Sequence, residues 1–117
     1  MAVYVDNMFA RYGRMRMCHL LADTDAELHA MAARVGVNRR WWQSPTRTAG
    51  SHYDIASSKR ELALAAGAVA ITWRQAGAMN SRRRVTGELG PPEEALAWLR
   101  AHVAACRRRG APDAPSR

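Results

Sequence analysis

The 117 residues make one small domain, enough chain for a single core and too little for two. Apolar residues are 48% and charged ones 24%, a globular balance that argues against wholesale disorder. Eighteen Lys and Arg against ten Asp and Glu leave +8, which favours phosphate-bearing partners, and the longest uncharged apolar run, residues 62–73, is well short of the roughly 20 residues that span a bilayer.

Residues 2–5 read as a short buried strand ending at Asp6 and Asn7, and residues 8–13 as a loop closing at Gly13. Alternation over 14–21 predicts a second strand, with Met15, Met17, His19 and Leu21 on one face and Arg14, Arg16, Cys18 and Leu20 on the other. The connection is too short for a helical crossover, so these strands should pair antiparallel. Thr24 and Glu27 form a capping box. Leu28, Met31, Ala32 and Val35 then mark the apolar stripe of a helix that stops at Gly36.

Residues 37–43 predict a third strand and residues 44–51 a surface loop containing Pro45 and Gly50. His52-Tyr53-Asp54-Ile55 leads into a second capping box, Ser58 to Glu61, and an Ala/Leu-rich helix that reaches Gly67. Residues 68–72 are strand-like. Thr72 and Gln75 make a third box, opening a helix that ends near Arg82, Arg83 and Arg84. After a break at 87–90, Pro91, Pro92, Glu93 and Glu94 start a last helix over about 91–106, with Leu96, Leu99 and Val103 on its apolar face.

This order predicts an α/β or α+β protein: a small mixed sheet of about four strands covered by three to four helices. Residues 1–106 would form a single domain and 107–117 a flexible basic tail. The first residues include Asp6 and lack a continuous apolar stretch, unlike a signal peptide. Cys18 and Cys106 make no CxxC pair, so a reduced, cytoplasmic chain is expected.

Tyr4-Val5-Asp6, Tyr12-Gly13-Arg14-Met15, Met17-Cys18-His19-Leu20, Ala22-Asp23-Thr24, residues 27–32, Arg39-Arg40-Trp41, His52-Tyr53-Asp54-Ile55 and Gly67-Ala68 follow one another in an order that resembles the bacterial and phage family catalogued as domain of unknown function 4031. The resemblance covers roughly residues 2–80. It implies a small cytoplasmic protein of bacteria or their viruses and brings no activity with it.

His19 shares a strand face with methionines and leucine, where it serves either as a hydrogen-bonded core histidine or as a site residue oriented by Asp6 across the strand pair. In extended chain His52 and Asp54 project to one side and Tyr53 to the other, about seven ångströms apart at Cα, so the first two can converge on one ligand. Alternatively Asp54 caps the following helix and His52 is exposed. Asp6, His19, His52 and Asp54 form a mixed N/O set suited to a divalent cation, without the tight spacing of a zinc finger.

Arg39-Arg40-Trp41-Trp42 offers guanidinium beside indole, a phosphate and base contact, or else core and cover for the sheet. Arg82, Arg83 and Arg84 form a candidate nucleic-acid patch, or a solvated helix end. An Arg-rich, Ala-rich coding bias accounts for the charge equally well. His29 should pack at the core edge. Neither a G-x-S-x-G nucleophile nor a glycine-rich phosphate cradle occurs.

The reading that joins these features is a pocket for a phosphate-bearing ligand, a nucleotide or nucleic-acid end. Its catalytic residues would be His19, His52 and Asp54, with Asp6, Arg39, Arg40, Tyr53 and Trp41 contacting the ligand. Metal-assisted phosphoester hydrolysis is the matching chemistry. The alternative is a non-catalytic nucleic-acid-binding accessory protein working through the arginines and tryptophans. Oligomeric state stays open.

Overall fold

The computed structural model describes residues 2–46 and 50–110. Within them the strands are β1 (Val3–Val5), β2 (Ala10–Tyr12), β3 (Met15–Ala22), β4 (Tyr53–Ala56) and β5 (Val69–Ala70). The helices are α1 (Asp25–Arg34), α2 (Ser57–Ala65), α3 (Trp73–Thr86) and α4 (Pro92–Arg108), with one 3-10 turn at Arg39–Trp41. The class is α+β, a mixed five-stranded sheet with four helices.

The sheet is organised on β3. β1 pairs antiparallel with its second half (Val5 opposite Leu20) and β2 with its first half (Ala10 opposite Met17). β4 runs antiparallel along the other edge, with Met17 opposite Ala56 and Leu20 opposite Tyr53. β5 joins β1 in parallel, which makes the sheet mixed. Because Met17 and Leu20 each have a partner on both sides, β1 and β2 lie end to end along one edge of β3. Residues 6–9 bridge the gap between them, and Phe9 takes a left-handed φ of 47° to re-enter the ladder.

Strand alternation then separates two cores. Val5, Leu20, Tyr53 and Ile55 pack under Leu28 and Ala32 of α1 and Ala63 of α2. Tyr4 and Leu21 face the other way, under Ala76 and Met79 of α3 and Ala95 of α4. Leu20 and Leu21 are fully buried in opposite layers, each contributing about 2 kcal/mol of burial that fixes β3 between the helices. On the α3–α4 side the helices stop short: Tyr12 and Met15 are exposed and His19 is half-buried. That uncovered end of the face carries the site.

Several elements differ from the sequence expectation. Residues 10–12 form β2 rather than loop, because Gly13 at φ +60° supplies the first central residue of a two-residue hairpin turn into β3. Residues 37–43 form no strand: the Asn38 side chain accepts from the Arg40 N–H and starts the 3-10 turn, so only Gln43 bridges to His52. α2 starts at Ser57 without a side-chain cap, since Ala56 is still paired with Met17 and the helix begins directly off the strand. The strand expected at 68–72 shrinks to β5. α4 extends to Arg108, so Arg107 and Arg108 belong to a helix end, while residues 47–49 of the expected loop and 111–117 of the expected tail lie outside the described residues.

The Thr72–Gln75 capping box forms as read, with both reciprocal hydrogen bonds present. Thr72→Ala should lower stability by about 1 kcal/mol in urea unfolding. Unchanged stability would mean that the Asn7 Oδ1 contact to the Trp73 N–H (2.8 Å) starts the helix unaided.

Candidate metal centre

Asp6 is the first residue after β1, and its N–H still bonds the His19 carbonyl (3.0 Å). Beyond it the strand breaks off, and the carboxylate takes over as the acceptor that the ladder lacks. Oδ1 accepts from the backbone N–H groups of His19 (2.8 Å) and Met8 (3.2 Å), and Oδ2 accepts from His19 Nδ1 at 2.6 Å. The Asp6 carbonyl accepts from Arg60 Nε on α2 (2.8 Å). The side chain is 0% exposed. A buried carboxylate with this many donors is satisfied and rigid, and it fixes both the orientation of the His19 ring and the nitrogen that carries the proton.

His52 arrives from the other side of β3. Gln43 and His52 exchange two backbone hydrogen bonds (2.8 and 3.1 Å), and His52 Nδ1 donates to the Gly50 carbonyl at 2.7 Å. The residue between is clamped. Ser51 accepts from Trp42 Nε1 (2.9 Å) and donates to Asp25 Oδ1 (2.7 Å), while Arg83 donates to the carbonyls of Ser51 (3.1 Å) and Ala22 (3.0 Å). Gly50 has no room for a side chain, because a Cβ there would sit 2.4 Å from Asn80 Oδ1.

With both Nδ1 protons committed, the two Nε2 atoms are left to face Asp54. His19 Nε2 lies 3.6 Å and His52 Nε2 3.4 Å from the same oxygen, Asp54 Oδ1, and the rings meet edge-on at 5.3 Å. The three residues offer ligand atoms all within 4.8 Å of one another. Two neutral imidazoles would point lone pairs at a carboxylate, a repulsive arrangement that either a proton on Nε2 or a metal cation relieves. A tetrahedral ion with bonds of about 2.1 Å has ligand–ligand edges of about 3.4 Å, so the two measured edges suit one. Side chains of His52, His19 and Asp54 are 15%, 37% and 43% exposed, leaving the site open on one side.

The hydrogen bond to Asp6, opposed in part by burial, raises the His19 pKa above its ordinary 6.5. Asp54 is lowered, first by the His52 imidazole facing it, with burial opposing.

Asp6, His19, His52 and Asp54 therefore meet in one place. The remaining residues divide. Asp6 is spent on His19 and Met8 and positions His19 instead of touching a ligand. Tyr53 points into the opposite core, fully buried, its hydroxyl 2.8 Å from His29 Nδ1. Arg39 does not pair with Trp41: the 3-10 turn sets it over Trp42 (5.7 Å), whose ring packs on His29. Arg40 stacks on Trp41 at 4.8 Å, and Trp41 lines an open groove with Tyr12, Met15, Met17, Gln43 and Asp54. The arginine patch on α3 is not a free one. Arg83 is the clamp on Ser51, and Arg82 is paired with Glu94 (3.4 Å) and lies over Trp98.

Sequence reading missed the groove wall and the Ser51–Arg83 clamp. The alternation of Met15 and Met17 with His19 already put those three on one face. Tyr12 joins them only once residues 10–12 are recognised as a strand.

Fold and site together define an α+β protein carrying a two-histidine, one-carboxylate cluster at an open sheet end. The chain belongs to the family described as Protein of unknown function (DUF4031), whose model matches residues 3–83. The match takes in every member of the cluster and ends within α3, leaving α4 outside it. No curated protein and no solved structure matches the chain. Among the described residues no helix is long and apolar enough to cross a membrane.

In metal-free protein the raised His19 supports folding fully below its unfolded value near 6.5, and that support is lost as pH rises through the raised folded value. The lowered Asp54 contributes above 3.8 and loses its contribution as pH falls through its lower folded value. NMR titration of the metal-free chain should find His19 titrating above 6.5 with its proton on Nδ1 when neutral, and Asp6→Asn should bring it down. A His19 midpoint unmoved by Asp6→Asn would contradict the assignment of the raised value to that hydrogen bond.

Proposed function

We propose that this chain is a divalent-metal-dependent phosphoester hydrolase acting on a nucleotide or a nucleic-acid end. The observation that carries the proposal is the convergence of two imidazole Nε2 atoms on one oxygen of Asp54, at 3.4 and 3.6 Å, with each Nδ1 held by a fixed acceptor. Acceptors on the far nitrogen are the arrangement that holds metal-binding histidines in place, here a carboxylate for His19 and a carbonyl for His52. His19, His52 and Asp54 would hold such an ion with two nitrogens and one carboxylate oxygen, fewer protein ligands than a closed structural site uses.

An ion held by His19, His52 and Asp54 would supply an acidified water and Lewis acidity toward a phosphoryl oxygen. In the proposed hydrolysis a water oxygen would bond to phosphorus, the bond from phosphorus to the leaving oxygen would break, and a water proton would end on that oxygen. Arg40, stacked on Trp41 at the groove wall, supplies positive charge on the substrate side. The +8 charge of the chain supports an anionic substrate. Its free Cys18 and Cys106 fit a reducing, cytoplasmic setting.

Calorimetric titration with Zn²⁺ and Mn²⁺ should give one site per chain, lost in His19→Ala and in His52→Ala while both variants stay folded. Asp6→Asn should weaken binding about 10- to 100-fold. Hydrolysis of bis(p-nitrophenyl) phosphate should follow metal occupancy and stop on chelation. Metal binding that survives loss of both histidines, or hydrolysis indifferent to chelation, would overturn the proposal.

A further inference from the structure

The uncovered sheet end holds more than the metal ligands. Tyr12, Met15, Met17, Trp41, Gln43 and Asp54 line one open groove of about 450 Å³, so an apolar wall and a proposed metal ligand belong to the same depression. Strand register produces this wall: Tyr12 pairs with Met15, and Ala10 with Met17, which puts Tyr12 and both methionines on the His19 face. Tyr12 is 68% and Trp41 56% exposed, although Trp42 beside it is packed on His29 and bonded to Ser51. Large aromatic rings left in water next to a polar centre are unusual for a surface without a ligand.

Arg40 stacks on Trp41 beside the groove, while Arg11, Arg14 and Arg16 lie on the β2–β3 hairpin, Arg11 and Arg16 opposite one another in register on the face turned away from Tyr12, Met15 and Met17. None of these four forms an ion pair among the described residues. A stacking surface beside an unpaired guanidinium is how proteins hold a nucleobase with its phosphate, whatever the base.

Resting on the metal-centre reading, we propose that the groove is a base subsite. Trp41 and Tyr12 stack on the nucleobase of the substrate, the thioethers of Met15 and Met17 floor it, and the attached phosphate reaches the ion at Asp54. The substrate class is thereby a nucleoside phosphate and not a sugar phosphate or inorganic phosphate. The base comes either from a free mononucleotide or from the end of a single strand. The +8 charge of the chain favours the strand, because a strand carries further phosphates to meet it and a mononucleotide does not.

Fluorescence of 2-aminopurine falls on stacking and reads the contact directly. Two probes separate the sources: 2-aminopurine riboside 5′-monophosphate, and a single-stranded octamer with 2-aminopurine at its end. Each is measured with Mn²⁺ and with chelator. Wild type should quench the octamer in both conditions and bind it more tightly than the monophosphate. Trp41→Ala should weaken octamer binding about tenfold while Trp41→Phe restores most of it, with the Mn²⁺ isotherm unchanged in both. Arg40→Ala should flatten the salt dependence of octamer binding. His52→Ala, which removes the ion, should leave octamer quenching in place, so a failed metal centre and a failed base subsite give different results. Absent quenching with both probes, or affinities equal in wild type and Trp41→Ala, would overturn the subsite. So would a wild-type dimer that Trp41→Ala dissociates, since a second copy would then own the groove.

Discussion

A single buried carboxylate at a break in a β-ladder is the constraint on which the site depends. β1 ends at Val5, β2 begins at Ala10, and the Asp6 side chain serves the β3 backbone at His19 where a strand carbonyl would otherwise have done so. Burying a carboxylate is costly unless it is well bonded, and here backbone N–H groups and an imidazole N–H together meet the need. The same group therefore keeps the edge of the sheet intact and sets the rotamer and tautomer of His19. Structure and site preparation are one interaction.

The second half of the centre is held by a different device. His52 does not lie within a named strand; it is steadied by its bridge to Gln43, by the Gly50 carbonyl and by the Ser51 clamp. Arg83 ties that clamp to Ala22 at the end of β3, so α3 reports to the site without touching it. Asp54 stands between the two halves on β4, directly opposite His19 in register. Each imidazole thus presents the same nitrogen to the same oxygen by independent routes. That preparation precedes any ligand, and it leaves the ordering cost in the fold rather than in the binding step.

Much of this was legible in the chain. Alternation over 14–21 placed His19 with Met15 and Met17, the spacing of His52 and Asp54 placed them together, and the short link from β1 placed Asp6 beside His19. Periodicity could not show that residues 10–12 pair, because Ala10, Arg11 and Tyr12 are exposed and carry no apolar alternation; their strand exists because Gly13 turns the chain back onto β3. The Arg39 to Trp42 segment misled for a local reason, the Asn38 side chain bonding the Arg40 N–H and curling a stretch of β-prone residues. Arg83 misled for a tertiary one. Its two neighbours in the run are no guide to burial, and only the approach of residues 50–52 makes it a backbone clamp instead of a surface charge.

The central claim is that His19, His52 and Asp54 share one ion. Crystals of the chain grown with Zn²⁺ and measured at the zinc absorption edge test it most directly. The account predicts one strong anomalous peak about 2.1 Å from Nε2 of both histidines and from an Asp54 oxygen, with the Nδ1 contacts to Asp6 and Gly50 retained. A peak elsewhere, or none in this cluster with the two Nε2 atoms hydrogen-bonded to Asp54 by protons alone, would contradict it.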